Sequence, residues 1–113
     1  MILIYHNPKC IKSREGLEIL KNSGKEFKIR EYLKDPLSED ELRVLLKKLQ
    51  LSPIQLIRQK ERIWNDDFKG LNLSDGELIS LMAIHPNLIE RPLVEDENRA
   101  VIGRPGSNID LLF

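Results

Sequence analysis

Cys10 is the only cysteine in the chain, and it lies where a thiol is chemically useful. It follows a short apolar run and a polar turn that contains Pro8, and it comes just before residues 13–22, which have helical spacing. Sulfur at the start of a helix lies near the positive end of the helix dipole, which favours the thiolate. Further positive charge is expected from Lys9, Lys12 and Arg14. These features favour a reactive thiolate over the alternative, a small buried hydrophobic side chain.

The spacing around the thiol limits the chemistry it can do. Ser13 stands where a C-x-x-C motif would have its second sulfur, so the motif of a dithiol redox site is incomplete. A phosphatase-type phosphate-binding loop needs a longer interval than the three residues that separate Cys10 from Arg14. Any redox cycle must therefore take its resolving thiol from a small thiol or from a partner protein.

Three arginines are candidates for binding an oxyanion: Arg58, Arg91 and Arg104. A guanidinium fork grips a tetrahedral oxyanion in a bidentate manner that lysine cannot reproduce. Taken singly, each is more simply explained as a solvated surface charge, but Arg91 and Arg104 lie among apolar residues at predicted strand ends and precede prolines. The Arg91–Pro92 bond also permits a cis peptide, which makes Pro92 a candidate cis-proline.

Polar residues next to the cysteine complete the candidate site. His6 lies shortly before Cys10 and can give the thiolate positive charge or a hydrogen bond; alternatively, it hydrogen-bonds the backbone at a strand end. Asn7 and Ser13 are candidates for shaping the loop or for hydrogen bonding near the thiol. One cysteine and two distant histidines provide no pair of zinc ligands, so no metal site is expected.

Composition bounds the class of protein. A chain of 113 residues suffices for one domain without disulfide or metal support. The 18 basic and 18 acidic residues balance, which argues against nucleic acid or an anionic membrane as the main partner. No apolar stretch approaches the roughly 20 residues of a membrane span, and the N-terminus lacks the pattern of a signal peptide. With a lone thiol, a cytoplasmic protein is expected.

Hydrophobic spacing predicts a βαβ unit in the first third of the chain. Residues 2–5 have the pattern of a buried strand, residues 13–22 that of a helix, and residues 26–32 that of a half-buried strand with Phe27 and Ile29 inward. A right-handed crossover is expected for such a unit.

The remaining elements are predicted to be helices followed by strands. Capping boxes begin helices at Ser38 and Ser74, and Pro53 occupies the first position of another. A short helix over residues 61–73 would have on one face Trp64, Phe68 and Leu71. The last third is predicted to contain strands in 88–94 and 99–103, a turn between them and a short helix over 108–113. The predicted order is βαβ, then helices, then ββα.

Several motifs together resemble the arsenate reductase (ArsC) family, of the glutaredoxin-coupled type. They are Ile4-Tyr5-His6-Asn7-Pro8-Lys9-Cys10 with Ser13-Arg14, Glu31-Tyr32-Leu33-Lys34-Asp35-Pro36, Leu56-Ile57-Arg58, His85-Pro86-Asn87-Leu88-Ile89-Glu90-Arg91-Pro92, and Val101-Ile102-Gly103-Arg104-Pro105. The resemblance covers nearly the whole chain, as for a short member of the family. It implies an α/β, thioredoxin/glutaredoxin-like fold with a mixed sheet. It also implies a single domain over residues 1–113, with a helical insertion over about 38–86.

The resemblance also implies an oxidoreductase that reduces arsenate in arsenic detoxification. Cys10 would be the nucleophile that attacks arsenate, while His6 would be the histidine near the thiol and Pro92 the cis-proline. The oxyanion-binding arginines would be Arg58, Arg91 and Arg104. Glutathione would be a co-substrate rather than a bound cofactor, and glutaredoxin would complete the reduction.

A sister branch provides an alternative function. The Spx-type regulators share this fold and bind RNA polymerase without catalysis, and their usual redox switch is a C-x-x-C pair. Ser13 removes that switch here, which favours the enzyme over the regulator.

Overall fold

The computed structural model describes residues 1–113 and divides them into two compact units. The first unit combines Met1–Pro36 with Arg91–Phe113, and the second is Leu37–Glu90. The helices expected as an insertion over about 38–86 fall in the second unit. That the whole chain acts as a single domain stays a prediction. No helix has the length and apolar character needed to cross a membrane.

A mixed four-stranded sheet organises the first unit. Its strands and helix are β1 (Ile2–Tyr5), α1 (Ile11–Asn22), β2 (Phe27–Arg30), β3 (Leu93–Glu95) and β4 (Ala100–Ile102). The strand order is β2-β1-β3-β4, with β1 parallel to β2, β3 antiparallel to β1, and β4 antiparallel to β3. The predicted βαβ unit and the later strand pair are therefore confirmed.

The core of this unit lies on one face of β1. Alternate residues of a strand point to the same side, so Ile2 and Ile4 share a face and meet Leu20 of α1. The same cluster of buried side chains also contains Val94, Ile109 and Leu112. It packs the sheet against α1, the helix at whose start the cysteine lies.

Three sequence-based predictions about this unit need correction. Ile29 is 49% exposed rather than inward, because β2 is an edge strand with a neighbour on one side only. The strand predicted within residues 88–94 begins only at Leu93, since Pro86–Leu88 forms a 3₁₀ turn. The final helix is a 3₁₀ helix, Gly106–Leu112, rather than one starting at residue 108.

The second unit is helical. Its α-helices are α2 (Glu39–Leu49), α3 (Pro53–Leu56) and α4 (Asp75–Ile84). Both predicted capping boxes are confirmed; at α2 the Glu41 backbone N–H donates to Ser38 Oγ over 3.1 Å, and Glu41 Oε1 accepts from the Ser38 backbone N–H over 3.0 Å. These local bonds satisfy N–H groups that a helix start otherwise leaves without partners.

The predicted helix over residues 61–73 is wrong in type and in its inner face. Trp64–Phe68 forms one π-helical turn, and Lys69–Leu71 forms a 3₁₀ turn. The change of helical period rotates the later side chains, so that Trp64 is buried while Leu71 is 59% exposed.

Candidate active site

The cysteine is the N-cap residue of α1. Its backbone is extended (φ −97°, ψ 124°), and the Arg14 N–H donates to the Cys10 carbonyl over 3.0 Å, which starts the helix. The preceding loop is closed by Asn7, whose carbonyl accepts from the Cys10 N–H over 3.0 Å and whose Oδ1 accepts from the Lys9 N–H over 3.1 Å. The helix begins at Ile11, two residues before the predicted start, so the sulfur is at the helix terminus itself.

Three donors stabilise the thiolate of Cys10. The guanidinium Nε–H of Arg91 donates to Sγ over 3.1 Å, and the backbone N–H groups of Ser13 and Lys12, in the first turn of α1, also lower the pKa of the thiol. Burial raises the pKa of the Cys10 thiol, but these hydrogen bonds and the charge of Arg91 outweigh it, so that the pKa lies below its usual value. The thiolate is therefore favoured at neutral pH more than in a free cysteine.

The positive charge near the sulfur has a different source from the one expected. The side chains of Lys9, Lys12 and Arg14 are exposed, and Lys12 forms an ion pair with Glu15 at 3.6 Å. The cation that contacts Sγ is Arg91, which is 81 residues away in the sequence. Arg14 thus supports the thiolate only through the backbone bond that begins α1.

His6 acts on the loop through Ser13. The imidazole Nδ1 and Ser13 Oγ are 2.6 Å apart, and Ser13 Oγ also accepts the Asn7 backbone N–H over 2.9 Å. Burial lowers the pKa of His6 below its usual value, so the ring is neutral at pH 7. His6 therefore bonds Ser13 rather than the sulfur itself, and its expected role in supporting the thiolate stays a prediction.

Arg91 has a further donor beside the one on sulfur. Its Nη1 is buried and has no hydrogen-bond partner in the protein. A buried guanidinium nitrogen without an acceptor is unfavourable, and an oxyanion supplies acceptors of the right charge. One arginine can therefore hold the thiolate through Nε and an oxyanion through Nη1.

The other two candidate arginines are not brought to the thiol by any contact. Arg104 is exposed two residues after the end of β4, and the Arg104–Pro105 peptide is cis, which the sequence did not predict. Arg58 lies in the second unit, where its Nη1 donates to the Asn87 carbonyl over 3.2 Å and pairs with Glu61 Oε2 at 3.1 Å. Their roles as oxyanion ligands stay predictions. No group of three or more His, Cys, Asp or Glu side chains is placed to hold a metal.

Pro92 anchors the segment that joins Arg91 to β3. The Arg91–Pro92 peptide is cis, and the Pro92 carbonyl accepts from the Gly103 N–H over 2.8 Å. A Cβ at Gly16 of α1 would lie 2.9 Å from Pro92 Cγ, and one at Gly103 would lie 3.0 Å from it. These close approaches hold Arg91 against the helix of Cys10. Sequence analysis missed Gly16, although a glycine inside a helix often marks such a close approach.

We expect Gly16→Ala to destabilise the protein by about 1–3 kcal/mol, because overpacking against the rigid proline ring outweighs the better helix propensity of alanine. Urea unfolding measures the change. Gly76→Ala in α4 is the matched control, since a Cβ there meets nothing within 4 Å and should cost nothing. Equal stability of the two variants would show that the contact with Pro92 is not tight.

Comparison with known proteins extends these observations. The model of the ArsC family matches residues 5–111. The chain is 39% identical to an arsenate reductase of Haemophilus influenzae over 110 residues, covering 96% of this chain and 95% of that protein. It is 44% identical to the uncharacterised protein YfgD of Escherichia coli K12, covering 96% and 92% of the two chains.

A solved structure gives the same result for the fold. The arsenate reductase from Vibrio cholerae superposes with a TM-score of 0.93 at 38% identity, covering 99% of this chain and 97% of that one. This similarity, together with the mixed sheet, confirms the α/β class and the thioredoxin-like fold that the resemblance implied.

Proposed function

The chain belongs to the ArsC family, and on that premise we propose that it reduces arsenate to arsenite through a Cys10 thiol-arsenate adduct. The observation that carries the proposal is the pairing of Cys10 with Arg91: a stabilised thiolate beside a guanidinium that has an unused buried donor. The relatives named arsenate reductase in Haemophilus influenzae and Neisseria meningitidis, at 39% and 35% identity, support it.

The first step forms the covalent adduct. The Cys10 thiolate attacks arsenic, an As–S bond forms, and an arsenate oxygen leaves as water after taking up protons. Arsenic is still As(V) at this stage. Charge on the remaining oxygens is neutralised by Arg91, and we assign Arg58 and Arg104 to the same task from their motifs alone.

The electrons for the reduction come from the thiols of glutathione and glutaredoxin. Glutathione adds to the adduct with loss of a second water, so that arsenic carries both sulfurs. A glutaredoxin thiolate then attacks the glutathione sulfur; the mixed disulfide leaves, and the As–S electron pair stays on arsenic, which becomes As(III). Hydrolysis releases arsenite and restores the Cys10 thiol. A lone cysteine needs such partners, and we accordingly place the protein in the reducing cytoplasm.

Ser13 argues against the regulator alternative. Its hydroxyl is fully buried and bonded to His6 and to the Asn7 backbone, so it ties the first turn of α1 to the loop before Cys10. We therefore propose the enzyme rather than an RNA polymerase-binding switch.

We expect arsenite to form only when protein, arsenate, glutathione and glutaredoxin are all present, because the chain has one thiol and cannot complete the reduction alone. Arsenite release is measured with each component omitted in turn and with thioredoxin in place of glutaredoxin. Unchanged turnover without glutaredoxin would contradict the coupling. No arsenite in the complete mixture would contradict the function, and capture of purified RNA polymerase would then favour the regulator.

A further inference from the structure

Arg58 in the second unit is held at one end of its guanidinium. Nη1 donates to the Asn87 carbonyl over 3.2 Å and pairs with Glu61 Oε2 at 3.1 Å. The other carboxylate oxygen, Oε1, accepts from Asn87 Nδ2 at 3.5 Å. Arg58, Glu61 and Asn87 thus form a closed cluster, which we call the Arg58 clamp.

The backbone under the Arg58 clamp is also fixed. The Arg58 N–H donates to the Leu88 carbonyl over 2.7 Å, and the Glu61 N–H donates to the Arg58 carbonyl over 3.0 Å. Next to them, Ile57 and Ile89 form an isolated antiparallel bridge. The chain segments that carry the three side chains are therefore joined by main-chain hydrogen bonds rather than by side chains alone.

The clamp leaves one edge of the guanidinium open. Nε and Nη2 make no hydrogen bond within the protein, and their two parallel N–H groups form the edge that binds an oxyanion in a bidentate manner. The ion pair with Glu61 is made at Nη1, and Glu61 accepts no hydrogen bond from Nε or Nη2. Both side chains are largely buried, with 22% and 25% exposed, so their attraction is less screened than that of a surface pair.

We propose that Glu61 is a positioning residue, which holds Arg58 by Nη1 and leaves the Nε–Nη2 edge available to an oxyanion. The inference rests on the proposed function, because that is where Arg58 is assigned to the oxyanion. The opposite role would be competition, in which the carboxylate repels the anion. The two roles predict opposite changes in anion affinity when Glu61 is removed.

The test measures oxyanion binding without turnover. Arsenate is added at increasing concentration, and the rate of Cys10 alkylation by iodoacetamide is measured. Sulfate, an oxyanion that thiols do not reduce, is used in the same way. The half-protecting concentration is the oxyanion concentration that halves the alkylation rate. Glu61→Ala is expected to raise that concentration about tenfold, as for loss of an outer partner of a ligating side chain. Glu61→Gln keeps the size of the side chain and its acceptor for Asn87 Nδ2 but removes the charge that pairs with Nη1, so it should raise the concentration as Glu61→Ala does.

Controls separate this inference from its premise. Asp66→Ala removes a carboxylate that pairs with Arg62 at 3.4 Å on the surface of the same unit, and it should change nothing. In an Arg58→Ala background, Glu61→Ala should have no further effect, which is the coupling expected of a positioning residue. A lower half-protecting concentration in both Glu61 variants would overturn the positioning role of Glu61. An equal effect of Glu61→Ala in the wild-type and the Arg58→Ala backgrounds would overturn it as well. An unchanged half-protecting concentration in the single variant Arg58→Ala would overturn the assignment of Arg58 to the oxyanion, and the inference with it.

Discussion

Cys10→Ser should lower arsenate reduction at least about a thousandfold, since a serine hydroxyl is not ionised at neutral pH and cannot replace the thiolate as nucleophile. The substitution keeps the size of the side chain, and the backbone bonds from Cys10 to Asn7 and Arg14 do not depend on sulfur. The loss is therefore expected in turnover rather than in folding. Arsenite release with glutathione and glutaredoxin measures it, and circular dichroism checks the fold.

Alkylation of the single thiol tests the role of Cys10 as nucleophile independently of the serine variant. Because Cys10 is the only cysteine, alkylation of the wild-type protein modifies that position alone. The alkylated enzyme should be as inactive as the serine variant. A serine variant that keeps more than a small fraction of the wild-type rate would show that the chemistry does not pass through sulfur.

Arg91→Ala is expected to lower kcat/KM for arsenate about a hundredfold or more, the range found when one donor to a developing oxyanion is removed. It should also raise the pKa of the Cys10 thiol, because the hydrogen bond to Sγ and a positive charge beside it are lost. The wild-type thiol should be alkylated below the pH at which an ordinary cysteine ionises, because its pKa is lowered. In the variant, the midpoint of alkylation rate against pH should move upward.

Two further variants make the prediction about Arg91 specific. Arg91→Lys keeps the charge but not the two-pronged fork, so it should restore part of the low thiol pKa and little of the kcat/KM. Arg99→Ala removes an arginine from the same unit whose partner is the Asp96 carboxylate at 3.7 Å, and neither quantity should change. An unshifted alkylation midpoint in Arg91→Ala would mean that the backbone donors alone stabilise the thiolate.

The parts of the fold that sequence analysis predicted are those set by neighbouring residues. The capping boxes at Ser38 and Ser74 form as predicted because donor and acceptor are three residues apart. Prediction was wrong where the helical period changes, as at Leu71, and where an edge position leaves a side chain such as Ile29 uncovered. In both cases, burial depends on elements that are distant in the sequence.

In the candidate site, too, sequence analysis predicted the local features, and the tertiary structure decided the contacts between distant residues. By itself, the sequence determined that one thiol stands at a helix start, that no second thiol is available, and that arginines of family motifs follow. Only the tertiary structure decided that Arg91 contacts Cys10, that His6 is a neutral partner of Ser13, and that Gly16 packs against Pro92. The physical reason is that a hydrogen bond depends on distance and direction in space. Spacing in a sequence determines the distance and direction between two groups only within a turn or a helix end. For Cys10 and Arg91, which are 81 positions apart, the pairing of strands in the sheet determines them.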